Sequence, residues 1–101
     1  MKLNINLRNG ILVYDDFNIN PDIPLQEQVF ELGEDLLQIQ YENNIVIDVG
    51  WYPGFDPLGN FTIYIIKDCD WDHPLYKKVV KLKNIAAELQ KAIDLIPRLN
   101  S

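Results

Sequence analysis

Between Asn9 and Ile66 this 101-residue chain contains no lysine and no arginine. Its nine basic residues all lie outside that stretch, Lys2 and Arg8 before it and the rest from Lys67 to Arg98. A single cysteine, Cys69, excludes an internal disulfide, so nothing calls for an oxidising compartment. The single serine is the terminal Ser101 and the single histidine is His73, which excludes a Ser/His/Asp set. Glycine is sparse, five in all, and no glycine-rich loop is placed to cradle a phosphate. No apolar run approaches the ~20 residues that cross a bilayer. Met1 to Gly10 alternates apolar and polar residues and lacks the apolar centre of a signal peptide, so the cytosol is the expected address.

What fills the cation-free stretch is acid: Asp15, Asp16, Asp22, Glu27, Glu31, Glu34, Asp35, Glu42, Asp48 and Asp56. The whole-chain charge of -6 understates this asymmetry. Like charges repel one another in a compact domain, and a one-signed field is most useful when a partner of opposite sign is waiting. Nucleic acid and anionic membranes are poor candidates, because binding phosphates rests on neutralising them with Lys and Arg. A basic protein is the partner that the charge favours. With 48% hydrophobic and 11% aromatic residues, the chain is apolar enough to fold, and its length fits one domain over residues 1–101.

Hydrophobic periodicity predicts the elements. Leu3, Ile5 and Leu7 alternate with polar residues up to Asn9-Gly10, a dipeptide suited to a primed turn, and predict a hairpin with Arg8 opposite Ile11 and Leu7 opposite Leu12. Leu25, Val29 and Leu32 have helical spacing and predict a short helix from Pro24 to Gly33. Leu37, Ile39 and Tyr41, then Ile45, Ile47, Val49 and Trp51, alternate as strands. Joined by a three-residue loop, Glu42 to Asn44, they pair Tyr41 with Ile45 and Ile39 with Ile47, and leave Gln38, Gln40 and Asp48 on the opposite face. Phe61 to Ile66 is apolar on both faces and predicts an interior strand. Leu75, Val79, Leu82, Ala86, Leu89, Ile93 and Ile96 would also make one long helical stripe, but Tyr76, Val79 and Val80 favour a last strand, Tyr76–Leu82, and Asn84 an N-cap for a helix Ile85–Ile96 that Pro97 ends, with Ile85, Leu89, Ile93 and Ile96 facing the sheet. The expected class is α+β: a small antiparallel sheet of five to six strands packed by a C-terminal helix.

Asp68, Asp70 and Asp72 invite comparison with a calcium-binding EF-hand loop. The required glycine and bidentate glutamate positions hold His73 and Val79, so the comparison fails. Cys69 and His73 are too few for a structural zinc, and a reactive Cys–His pair would need an electropositive pocket where three aspartates stand instead. Neither residue is expected to serve catalysis or metal, and no cofactor is expected. Trp51 continues the apolar face of its strand and belongs in the core. Trp71 has two readings, a ring lying flat on the sheet or an aromatic anchor within an acidic rim.

The segment Asp35 to Leu82 resembles small bacterial immunity proteins of toxin–immunity systems, notably those of contact-dependent growth inhibition. The features that carry the resemblance are Asp48-Val49-Gly50-Trp51-Tyr52-Pro53, the turn from Phe55 to Phe61, and the loop Asp70-Trp71-Asp72-His73-Pro74-Leu75 before a basic strand and final helix. It implies a non-enzymatic cytosolic inhibitor that binds the toxic domain of a cognate effector, often a nuclease with a basic cleft. The expected partner-binding residues are Asp68, Asp70, Trp71 and Asp72 first, then Glu42, Asp48, Tyr52 and Asp56. Two other readings stay open: a general acidic interaction module without a toxin partner, and a small enzyme built on two convergent carboxylates of separated pKa.

Overall fold

The computed structural model describes residues 3–99, so Lys2 and Ser101 lie outside the described residues. Five antiparallel strands form one sheet in the order of the chain: β1 (Ile11–Asp15), β2 (Leu37–Tyr41), β3 (Ile45–Tyr52), β4 (Asn60–Lys67) and β5 (Tyr76–Val80). The helix α1 (Ile85–Leu99) follows and packs on one face of the sheet. This is the expected α+β class.

Alternation explains the interior. From the inner face, Ile39, Ile47, Val49, Ile63 and Ile65 meet Ile85, Leu89, Ala92, Ile93 and Ile96 of α1, all buried. Each of these isoleucine, valine and leucine side chains contributes roughly 1.5–3 kcal/mol by leaving water. Trp51 is in the core as expected, edge-on to Phe61 at 4.9 Å, while Phe17 stacks on the same Phe61 ring at 5.4 Å. The β2–β3 register is the predicted one, Tyr41 opposite Ile45 and Ile39 opposite Ile47. Asn43 and Asn44 both take positive φ in the connecting loop, 64° and 59°. Strand β4 is interior, hydrogen-bonded to β3 on one side and β5 on the other.

Five expectations are corrected. The N-terminal hairpin does not form, and β1 pairs with β2 instead. The turn centres on Arg8 and Asn9, φ 47° and 68°, and is closed by Gly10 N donating to Leu7 O at 3.0 Å. Residues before it dock on α1: the Gln90 side chain takes Asn6 N and O at 2.8 and 3.1 Å, and Arg8 Nε pairs with Asp94. With its backbone groups satisfied there, the segment gains little from a strand partner. Gly10 is needed for space, since a Cβ would stand 2.5 Å from Tyr41 Cζ.

The helix expected from Pro24 to Gly33 is two 3₁₀ turns, Leu25–Glu27 and Val29–Glu31. Gln28 separates them at φ −138°, because its side chain is committed elsewhere: it accepts from Asn20 N at 2.8 Å and donates to Asn20 O and Ile23 O at 2.7 and 2.8 Å. Strand β5 stops at Val80, short of Leu82. Asn84 is the last residue of a 3₁₀ turn, Leu82–Asn84, that runs straight into α1, rather than a cap. Pro97 lies inside the helix, which continues to Leu99. In the last turn a proline sacrifices only one intrahelical bond, which the helix tolerates near its end.

Candidate functional site

The face of the sheet opposite α1 brings together acidic residues from separate segments, Asp35 and Asp48 in one cleft and Asp16, Glu31 and Glu34 beside it. Register places Tyr14, Gln38, Asp48, Tyr64 and Lys77 in one row, one residue from each strand from β1 to β5. Directly paired residues share a face, so all five side chains lie on the helix-free side. Lys77 ends the row, its Nζ 5.7 Å from the centre of the Tyr64 ring.

One row along, Gly50 is the centre of a second device. Trp51 N donates to Gly33 O at 2.9 Å and Leu36 N donates to Val49 O at 3.0 Å, so Glu34 and Asp35 are extra residues bulged from the chain that runs beside β3. The Glu34 carbonyl lies over Gly50, where a Cβ would collide with it. A glycine inside an apolar strand serves this kind of close backbone approach. The bulge delivers Asp35 to the rim of a cleft of about 320 Å³ that Tyr14, Gln38 and Asp48 also line. A neighbouring hollow of about 340 Å³ shares Tyr14 and Asp35 and extends to Asp16, Glu31, Glu34 and the exposed rings of Phe30 and Phe55.

Asp48 is 6% exposed, among apolar strands. Burial and then the Asp35 carboxylate push its pKa up to about 6, against a hydrogen bond from Gln38 that favours the charged form. Tyr52, further along β3, is pushed up to about 12 by burial first, then by Asp48, Tyr64, Asp35 and Glu34. Tyr14 is raised by burial and by Asp16, with Asp35 also contributing. The Asp35 charge thus bears on three side chains from two strands, Tyr14 of β1 and Asp48 and Tyr52 of β3. The face is a connected electrostatic unit of negative sign.

The expected residues are only partly gathered here. Asp48 and Tyr52 lie on this face. Trp71 joins them by setting its ring edge-on to Tyr64 at 6.2 Å while remaining 49% exposed, so it touches the sheet without lying flat on it. Asp68, Asp70 and Asp72 are exposed on the β4–β5 loop. Asp68 takes φ 55° and is tied to the β2–β3 loop, its N donating to Asn44 O at 3.0 Å and its Oδ1 accepting from Asn44 Nδ2 at 3.3 Å. Asp70 contacts His73 Nδ1 at 3.1 Å. Glu42 is apart, lining a groove with Arg8, Ile93 and Pro97 on the helix side. Asp56 serves its own turn, where its carbonyl accepts from Trp51 Nε1 at 2.8 Å and its carboxylate from Leu58 N at 2.9 Å.

Tyr14, Glu34, Asp35 and Tyr64 were not singled out by the sequence patterns. Gly50, a glycine interrupting Ile45 to Trp51, was the available signal for the bulge that brings two of them in. Among the described residues no group of three or more His, Cys, Asp or Glu side chains is arranged to hold a metal, and no helix is long and apolar enough to cross a membrane.

Fold and site together define an α+β domain with one sheet face covered by a helix and the other carrying an acidic and aromatic cleft. Comparison with family models, with curated proteins and with solved structures gives no match.

Proposed function

We propose that the chain is an immunity protein, a non-enzymatic cytosolic inhibitor that binds the toxic domain of a cognate effector, a basic nuclease, through the helix-free face. The observation that carries this reading is that face itself. Asp16, Glu34, Asp35 and Asp48 share it or its margin with the exposed rings of Phe30, Phe55 and Trp71, and Lys77 is held over a tyrosine. Carboxylates steer a basic partner and fix its register; aromatic rings supply the desolvated anchors that dominate affinity. A nuclease cleft built for phosphate presents the complementary sign.

The test is protection. A toxin domain should be encoded beside this gene; cells expressing it should grow when the chain is co-expressed, and the two purified proteins should form a stoichiometric complex. Absence of both would refute the reading, and a complex with an unrelated host protein would favour the general interaction module.

Asp48, lifted toward neutrality beside Asp35, also has the character of a general acid, which favours an enzyme as the second reading. Titration separates the two. A binder inactivates no more toxin than it matches in number, whereas an enzyme protects at substoichiometric amounts.

A further inference from the structure

We propose that the cleft between β1 and β3 is an acceptor for one arginine side chain of a basic protein, with the guanidinium between Asp48 and Asp35 and the Tyr14 ring as its wall. The proposal rests on reading the helix-free face as a binding surface and names the group that the face receives.

The cleft is built rather than merely acidic. Asp48 projects into it from the middle of the sheet, 6% exposed, and its one attractive neighbour among the described residues is the neutral amide of Gln38. A buried carboxylate without a cation is costly, and the raised pKa of Asp48 reflects that cost. The chain's own cation on this row does not relieve it, because Lys77 lies beyond Tyr64 and over its ring. Asp35 is brought in by a bulge that requires Gly50, so the second carboxylate is held by backbone rather than by a flexible approach.

Three properties favour arginine over lysine. Its planar fork donates to two carboxylate oxygens at once, its guanidinium sheds water more readily than an ammonium, and its plane stacks on an aromatic wall. Two carboxylates, an amide and a phenol line one small cleft of about 320 Å³. A calcium ion would want six to eight oxygen ligands around one point, and among the described residues no group of three or more His, Cys, Asp or Glu side chains is arranged to hold a metal.

The experiment is an NMR titration of the isotope-labelled protein, held well above pH 6 so that Asp48 is charged, with N-acetyl-arginine amide, N-acetyl-lysine amide and calcium chloride as separate probes. The arginine probe should move the Gln38 side-chain amide and the Asp48 and Tyr64 backbone amides saturably, at least about tenfold more tightly than the lysine probe. Asp48→Asn should abolish the effect, as should Asp35→Asn, an exposed position where folding is not at stake. Asp68→Asn should leave it intact. Equal response to lysine, preferential response to calcium, shifts confined to the β4–β5 loop, or an unchanged response in both cleft variants would overturn the proposal. The readout needs no toxin. Arginine binding without protection removes the immunity reading alone, and protection without arginine binding removes this inference alone.

Discussion

The backbone carbonyl of Glu34 rests against Gly50 on the helix-free face, at a position where no side chain fits. Gly50→Ala should push the bulge away from β3 and loosen Asp35 from the Asp48 cleft. Overpacking of this kind costs typically 1–3 kcal/mol, so the variant should unfold at about that much lower stability. Chemical denaturation measures the loss, and the amides of Glu34 to Leu36 should shift more than those of α1.

Asp48 gives the fold a pH dependence of unusual sign. An aspartate ordinarily loses stabilisation as pH falls, but here the folded pKa, about 6, lies above the usual 3.8, so the folded state binds the proton more tightly than the unfolded one. The protein is therefore most favoured by this group below about pH 4, and the advantage is lost as pH rises through 6. The cost at neutral pH is about 3 kcal/mol in order of magnitude. Asp48→Asn should be more stable than the parent at pH 7 and should gain little at pH 4, which denaturation curves at both pH values would show. Equal gain at the two pH values would argue against a raised pKa.

Binding should follow the same group in the other direction. A partner cation holds Asp48 ionised, so complex formation should release protons and weaken as pH falls below about 6. Calorimetry in buffers of different ionisation enthalpy counts those protons.

Leu89 is fully buried where α1 meets the sheet. Leu89→Ala should cost about 2–5 kcal/mol. The exposed neighbour Ala87 offers the control, since a polar replacement there should change stability by less than about 0.5 kcal/mol.

Loop aspartates and the loop tryptophan should separate kinetically. Asp68→Asn, Asp70→Asn and Asp72→Asn together should slow association with the toxin domain and flatten its salt dependence, because these exposed charges act at a distance. Trp71→Ala should mainly raise the dissociation rate, because its ring leans on Tyr64 beside Asp48. Surface-capture kinetics at low and high salt resolve both. Affinity independent of salt would remove the electrostatic argument.

Period-two alternation was enough to set the β2–β3 register, since slipping Ile39 and Ile47 by one residue would expose a whole apolar face. Helical spacing likewise chose the buried stripe of α1 from Ile85 to Ile96. Local pattern failed where tertiary partners competed for backbone groups. Leu3 to Leu7 alternates like a strand, yet Gln90 and Asp94 hold that segment against the helix, and Gln28 breaks a helical spacing by bonding Asn20 and Ile23. Composition determined that the chain carries an excess of acid, because charge is counted without knowing where it goes. Where the charge converges was decided only by the fold. Asp35 and Asp48 belong to different segments, and they line one cleft because antiparallel pairing aligns one residue from each strand and a bulge over Gly50 turns the chain's edge onto that row.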